Sequence, residues 1–109
     1  MLYMLDDRLI PKKAKSISEY IDWHQSMPIA SDWYASKTLI GFIVARDSDE
    51  NGRFVSTVYL GFDHNFLGEG QPVLWETWIR SPEGASYRRY ETYPEAISGH
   101  QEAIEHERA

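Results

Sequence analysis

Two stretches with the composition of β-strands dominate residues 53–80, and a polar, glycine-containing loop separates them. Residues 54–62 are crowded with β-branched and aromatic side chains, and residues 73–80 have the same character. Such side chains favour a pleated sheet, whereas Gly61 and the β-branched run both oppose a helix. This stretch therefore predicts an antiparallel hairpin, around which the rest of the chain is arranged.

Further segments extend the hairpin into a sheet. Residues 37–46 are almost continuously apolar, which is typical of a strand buried on both faces. The Asn-Gly pair at residues 51–52 predicts a tight turn into the hairpin, because both residue types tolerate positive φ. Residues 81–84 predict another turn, followed by a fourth strand over residues 85–91 whose charges fit a sheet edge. Residues 1–5 predict a short additional edge strand.

Two segments begin with capping boxes and therefore predict helices. Ser16 and Glu19 form the first box, and apolar side chains then recur at helical spacing. This helix is expected to end at Pro28, before a connecting loop over residues 29–36. Residues 92–95 form the second box, with a proline in the first turn.

The sequence of the second predicted helix indicates how this helix packs on the sheet. Gly99 would let it approach a sheet closely, and we expect Ile104 to contact Val58. Its apolar stripe is narrow and consists of Ala96, Ile97, His100, Ala103 and Ile104. The predicted fold class is α+β: one domain over residues 1–109, in which a four-stranded antiparallel β-meander packs against this C-terminal helix, with an N-terminal helix added.

Composition and charge exclude several classes of function. The chain of 109 residues has no cysteine, which excludes disulfides and thiol chemistry. No apolar run approaches the roughly 20 residues that span a bilayer, and no signal peptide is recognisable, so we expect a cytoplasmic protein without a membrane partner. The net charge is −6, which argues against a broad nucleic-acid surface, because such surfaces need clustered Lys and Arg.

The loop after the first hairpin strand holds the densest group of polar side chains. Asp63, Asn65 and Glu69 could offer oxygens to a hard cation, but their spacing differs from the twelve-residue calcium loop. The alternative is that Asp63 and Asn65 bind nearby amides and shape the turn.

A candidate polar cluster consists of Asp63, His64, Glu76 and His100. Glu76 lies mid-strand and would be costly to bury without a partner, so we expect it to bind His64 or His100. Such a pair could be a general acid–base pair, a zinc site or, as we favour, a structural bridge. Since no nucleophile motif or phosphate-binding loop is present, we assign no catalytic, metal or cofactor residue and expect no enzyme.

Three residues are candidate surface contacts: Trp78, Arg88 and Arg89. Together with neighbouring tyrosines, the arginines resemble a small stacking-and-phosphate patch. Strand alternation places Arg88 and Arg89 on opposite faces, however. We therefore expect them to form surface salt bridges with Glu83 or Glu91.

Three segments of the chain, VSTVYLGFDHNF, PVLWETWI and RYETYPEAISGHQEAI, resemble a group of small proteins found in bacteriophage and prophage genomes. That group shows VSTV-x-LG-x-DH-x-F, LFET-like and YST-x-x-EA-x-x-GH-like motifs, and the similarity covers roughly residues 17–107. Trp75 and Trp78 differ from the usual Phe and Met. The group has no assigned activity. The resemblance therefore implies a phage origin more than a mechanism. It marks the motif positions Asp63, His64, Glu76, Gly99 and His100.

These observations lead to one functional hypothesis and two alternatives. The leading hypothesis is a small acidic phage accessory protein in the host cytoplasm that binds a protein or ribonucleoprotein of host or phage, for example as an inhibitor of a host defence complex. One alternative is a small metal-binding or hydrolytic enzyme that uses the candidate polar cluster. The other is a minor virion protein. Homodimer formation stays open.

Overall fold

A four-stranded antiparallel sheet forms the centre of the computed structural model, which describes residues 1–6, 8–26, 41–65 and 70–108. Residues 27–40, where the sequence predicts the end of a helix, a loop and the start of a strand, lie outside the described residues, as does Glu69. In chain order the elements are β1 (Tyr3–Leu5), β2 (Pro11–Lys13), α1 (Ile17–Ser26), β3 (Phe42–Ser48), β4 (Phe54–Tyr59), β5 (Trp75–Ser81), β6 (Gly84–Tyr90) and α2 (Tyr93–Arg108).

The predicted hairpin and meander are confirmed. The strands follow the order β3-β4-β5-β6, and the β4–β5 register pairs Tyr59 with Trp75 and Phe54 with Arg80. Strand β4 ends at Tyr59, earlier than expected, because Gly61 adopts a φ of 84° and turns the chain out of the sheet.

The N-terminal strands form a second, small sheet. β1 pairs only with β2 among the named strands, and residues 1–3 contact the chain that follows β4. The amide of Tyr3 donates to the carbonyl of Gly61 at 2.8 Å, and the amide of Asp63 donates to the carbonyl of Met1 at 3.1 Å. The N-terminal segment therefore borders the loop after β4 and does not widen the meander.

Both predicted N-cap hydroxyl bonds are confirmed, whereas the carboxylates of the two capping boxes accept from groups other than the N-cap amide. The Ser16 hydroxyl accepts from the Glu19 amide at 3.1 Å, and the Glu19 carboxylate accepts from the Lys15 amide at 3.2 Å. In α2 the Thr92 hydroxyl accepts from the Glu95 amide at 3.2 Å and donates to the Glu95 carboxylate at 2.8 Å. The two hydroxyl bonds satisfy amides that the first helical turns leave without an intrahelical partner.

Helix α2 covers one face of the sheet, which we call the helix face. Val55 of β4 and Ile79 of β5 pack there with Ala103 and Ile104. The predicted contact of Ile104 with Val58 is therefore wrong: successive side chains alternate between faces, and Val58 points the other way from Val55. The buried stripe of α2 also differs from the prediction, since Ile97 is exposed and Gly99 is buried.

The N-terminal elements pack on the same side. The ring of Trp23 in α1 lies 5.5 Å from the ring of Phe42 and 6.3 Å from that of Tyr59. Burial raises the pKa of Tyr59 above its ordinary value, and its hydroxyl donates to the carbonyl of Tyr3. The two described helices therefore lie on one side of the sheet, and we call the opposite side the distal face. Neither helix has the length and apolar character needed to cross a membrane.

Gly99 is expected to be required for the close approach of α2 to the sheet. A β-carbon at this position would overlap the ring and hydroxyl of Tyr90. Helix propensity alone predicts that Gly99→Ala stabilises by about 1 kcal/mol, whereas this overlap predicts a loss of about 1–3 kcal/mol. We expect the loss, measured by urea unfolding. Ser98→Ala, at the exposed neighbouring position, is the control, and a gain in stability for Gly99→Ala would contradict this packing.

Candidate functional site

The four residues of the candidate polar cluster lie in three separate places. Asp63 and His64 follow β4, Glu76 lies on the distal face, and His100 projects from α2 onto the helix face. The predicted bond between Glu76 and His64 or His100 is therefore wrong. Glu76 points away from α2 because it neighbours Thr77, which lies on the helix face.

Asp63 shapes the loop after β4. Its Oδ1 atom accepts from the amides of Asn65 at 2.7 Å and of Val73 at 2.8 Å, and the Asn65 side chain donates to the Gln71 carbonyl at 3.1 Å. This confirms the turn-shaping interpretation. His64 Nδ1 lies 3.1 Å from the Phe62 carbonyl oxygen. In the described parts of the chain, no three His, Asp or Glu residues are placed to hold a metal ion.

His100 connects α2 to the sheet through a chain of hydrogen bonds. Its Nε2 lies 2.7 Å from Asp47 Oδ2, and its Nδ1 lies 2.7 Å from Thr57 Oγ1. Thr57 Oγ1 in turn lies 2.6 Å from Thr77 Oγ1. An ionised carboxylate only accepts, so Nε2 carries the proton. In the neutral imidazole Nδ1 then accepts from Thr57, and Thr57 accepts from Thr77.

The order Asp47–His100–Thr57 is the order of groups that activates a nucleophile in serine hydrolases. Burial argues against that chemistry here, because Thr57 and Thr77 have 0% of their surface exposed and a substrate carbonyl could not reach the hydroxyl. We interpret the chain of bonds as structural. Asp47, Thr57 and Thr77 were not predicted from the sequence. The pattern that could have indicated the two threonines is their position at the centres of adjacent strands, where a buried imidazole on the covering helix could bind them.

On the distal face, Glu76 binds two neighbours on the sheet. Glu76 has 5% of its surface exposed. Its carboxylate accepts from Arg89 Nε at 2.8 Å and from the indole of Trp78. The hydrogen bond to Glu76 raises the pKa of Arg89. Glu76 therefore holds Trp78 and Arg89 in fixed positions. The hydrogen bonds from these two donors offset the free-energy cost of burying its charge.

Trp78 and Tyr87 lie directly opposite each other on β5 and β6. Their ring centroids are 6.2 Å apart and the rings are tilted by 31°. The guanidinium of Arg89 lies 4.9 Å from the centre of the Tyr87 ring, within the range of a cation–π contact. Although large and aromatic, Trp78 is 46% exposed and Tyr87 is 58% exposed.

Two more arginines belong to the distal face. Arg80 pairs with Phe54 across β4 and β5, and Arg46 lies 5.0 Å above the Phe54 ring. Directly opposite residues share a face, and the pairing of Arg46 with Ser56 and of Ser56 with Trp78 places Arg46 here. We call the following residues the distal patch: Arg46, Phe54, Trp78, Arg80, Tyr87 and Arg89.

Arg88 does not belong to the distal patch. It pairs with Thr77 on the helix face, and its guanidinium lies 3.9 Å from Glu102 of α2. The predicted opposite orientation of Arg88 and Arg89 is confirmed. The ion pairs that the structure gives these arginines are to Glu102 and Glu76, in place of the expected Glu83 or Glu91.

No protein-family model matches the chain, and neither a curated protein nor a solved structure matches it. The resemblance to phage proteins therefore stays a prediction from the sequence.

Arg89→Ala and Arg88→Ala form a matched pair of variants. Loss of Arg89 removes the charged donor to a buried carboxylate, so we expect a destabilisation of about 1–3 kcal/mol. Arg88 forms a long pair with a largely exposed Glu102, and its loss should stay within about 0.5 kcal/mol. Urea unfolding measures both. Adding Glu76→Gln to Arg89→Ala should restore part of the loss, and equal effects of the two arginine variants would refute the buried pair.

Thr57→Val should destabilise more than Thr77→Val. The first change leaves both His100 Nδ1 and the Thr77 hydroxyl without their buried partner, for a loss of about 1–3 kcal/mol, while the second removes one donor, for up to about 1 kcal/mol. Thermal and urea unfolding of the two variants give the comparison. The reverse ranking would contradict the central position of Thr57 between His100 and Thr77.

Proposed function

We propose that this chain acts by binding a macromolecule, with the distal patch as the contact surface. The observation that carries this proposal is the exposure of Trp78 and Tyr87 beside a fixed Arg89. Contiguous exposed apolar surface commonly marks an interaction site. Trp, Tyr and Arg are also the residue types that contribute most to binding energy at interfaces.

The distal patch is organised before a partner arrives. Glu76 fixes the indole nitrogen of Trp78 and the guanidinium of Arg89, and Arg89 in turn lies against Tyr87. Binding normally immobilises side chains at a cost of about 0.5–1.5 kcal/mol each. Because these side chains already have partners, less of that cost opposes binding.

We further propose that the chain is a phage-encoded accessory protein that acts in the host cytoplasm on a protein or ribonucleoprotein. The resemblance of the three sequence segments to phage proteins supports this origin, and the small size and the net charge of −6 fit it. Inhibition of a host defence complex is one form that such binding would take. An enzyme built on the candidate polar cluster has no support in the geometry, since its four residues lie in three places.

Affinity capture tests the proposal. The tagged chain is expressed in a phage-infected bacterium and recovered with its bound partner, which is identified by mass spectrometry. The variant Trp78→Ala with Tyr87→Ala should lose that partner, while Ile97→Ala and Ile21→Ala, at exposed apolar positions on the two helices, should keep it.

The same partner recovered at equal yield by the double variant would contradict the distal patch as the contact surface. Circular dichroism of each variant establishes that the fold persists, which we expect because both aromatic side chains are exposed and Arg89 remains as a donor to Glu76. Recovery of the chain in purified virions would favour the virion alternative over an intracellular partner.

A further inference from the structure

We infer that the distal patch binds single-stranded nucleic acid. This inference rests on the proposed function, since it names the chemistry of the partner at the same surface. The strand or loop would be presented free or as the exposed nucleic-acid part of a ribonucleoprotein.

The charge on the distal face is opposite to that of the whole chain. The protein carries a net charge of −6, yet Arg46, Arg80 and Arg89 share this face. On the distal face of β3–β6, as the structure describes them, the single acidic side chain is Glu76, and it is buried beneath Arg89. Among the described residues Arg46 and Arg80 have no ion pair. Phosphate groups would therefore meet two arginines that are not already neutralised.

The aromatic side chains lie where bases could stack. Trp78 and Tyr87 expose adjacent rings, and the Arg89 guanidinium lies over one of them. Unpaired bases stack on aromatic rings and on guanidinium planes whatever their sequence. One common class of RNA-binding domain uses aromatic side chains on a four-stranded sheet to stack two or three unpaired bases in this way.

The size of the patch favours a short single strand over a duplex. Four strands spaced about 4.8 Å apart give a surface about 14 Å wide. A duplex hides the faces of its bases, so it could use only the arginines, and two or three phosphate contacts give weak binding. Acidic residues in the two turns at one end, Asp49, Glu50 and Glu83, further restrict the positive region. A local patch of this kind is compatible with the net charge of −6.

Binding of a labelled oligonucleotide tests the inference. The purified full chain is titrated into fluorescein-labelled oligouridine or oligothymidine of about ten nucleotides, with a duplex of equal length as comparison. Fluorescence anisotropy should show binding to the single strands and little to the duplex. We expect Trp78→Ala to lower the affinity about ten-fold or more, which is the effect of losing one stacked base. Trp78→Phe keeps a ring and should retain most of the affinity.

The matched arginine variants separate phosphate contacts from general charge. Arg80→Ala should lower the affinity and reduce the slope of log K against log salt by about 0.7 between about 50 and 200 mM salt. Arg88→Ala removes the same charge from the helix face and should leave the affinity and the slope almost unchanged. Equal effects of the two variants would overturn the phosphate contact on this face.

The remaining outcomes distinguish this inference from the proposed function. If the wild-type chain binds no oligonucleotide, but Trp78→Ala with Tyr87→Ala still abolishes capture of a protein partner, the inference is overturned and the proposed function stands. If the wild-type chain binds no oligonucleotide and sedimentation shows a homodimer that the double variant dissociates, the inference is overturned and the distal patch is still a contact surface. If the double variant loses neither oligonucleotide nor partner, both fail.

Discussion

Side-chain alternation along β5, fixed by its register between β4 and β6, determines how the two faces of this protein differ. Trp75, Thr77 and Ile79 point to the helix face and are buried, whereas Glu76 and Trp78 point to the distal face. A shift of the register by one residue would exchange the two rows. It would place a carboxylate against α2 and bury the indole that the distal patch exposes.

A buried imidazole lies on the helix face and a buried carboxylate lies on the distal face, each with its own set of partners. On the helix face His100 binds Thr57 and Asp47, and on the distal face Glu76 binds Arg89 and Trp78. The separation of the two groups explains why no acid–base pair forms between them. The two groups also have different structural roles. His100 connects helix α2 to the sheet, and Glu76 orders side chains at the surface of the distal face.

The architecture was predictable because local signals agreed. The composition of residues 54–62, the Asn-Gly turn and both capping boxes each predict an element that the structure confirms. Gly99 could also be assigned to a close contact, because small side chains surround it. Which face of β4 contacts helix α2 could not be predicted, because both faces of the strand carry apolar residues. Alternation alone does not indicate whether Val55 or Val58 meets the helix.

The hydrogen-bond partners of the polar side chains could not be predicted, because they depend on which strands pair and in which register. Glu76 was recognised as a buried carboxylate, but its donor follows from the pairing with Arg89 across β5 and β6. Arg46 and Arg80 are far apart in the chain, and only the sheet order brings them to one face. The sequence pattern already grouped Trp78 and Arg89 with neighbouring tyrosines, but only the strand order adds Arg46 and Phe54 to the distal patch.

Hydroxyl-radical footprinting read by mass spectrometry tests the assignment of the two faces most directly, because it compares residues of the same type. Trp78 and Tyr87 should be oxidised rapidly, since they are exposed, while Trp75 and Tyr59, with 0% and 1% of their surface exposed, should be protected. Rapid oxidation of Trp75 with protection of Trp78 would show that the faces are exchanged, and the account of the distal patch would then be wrong.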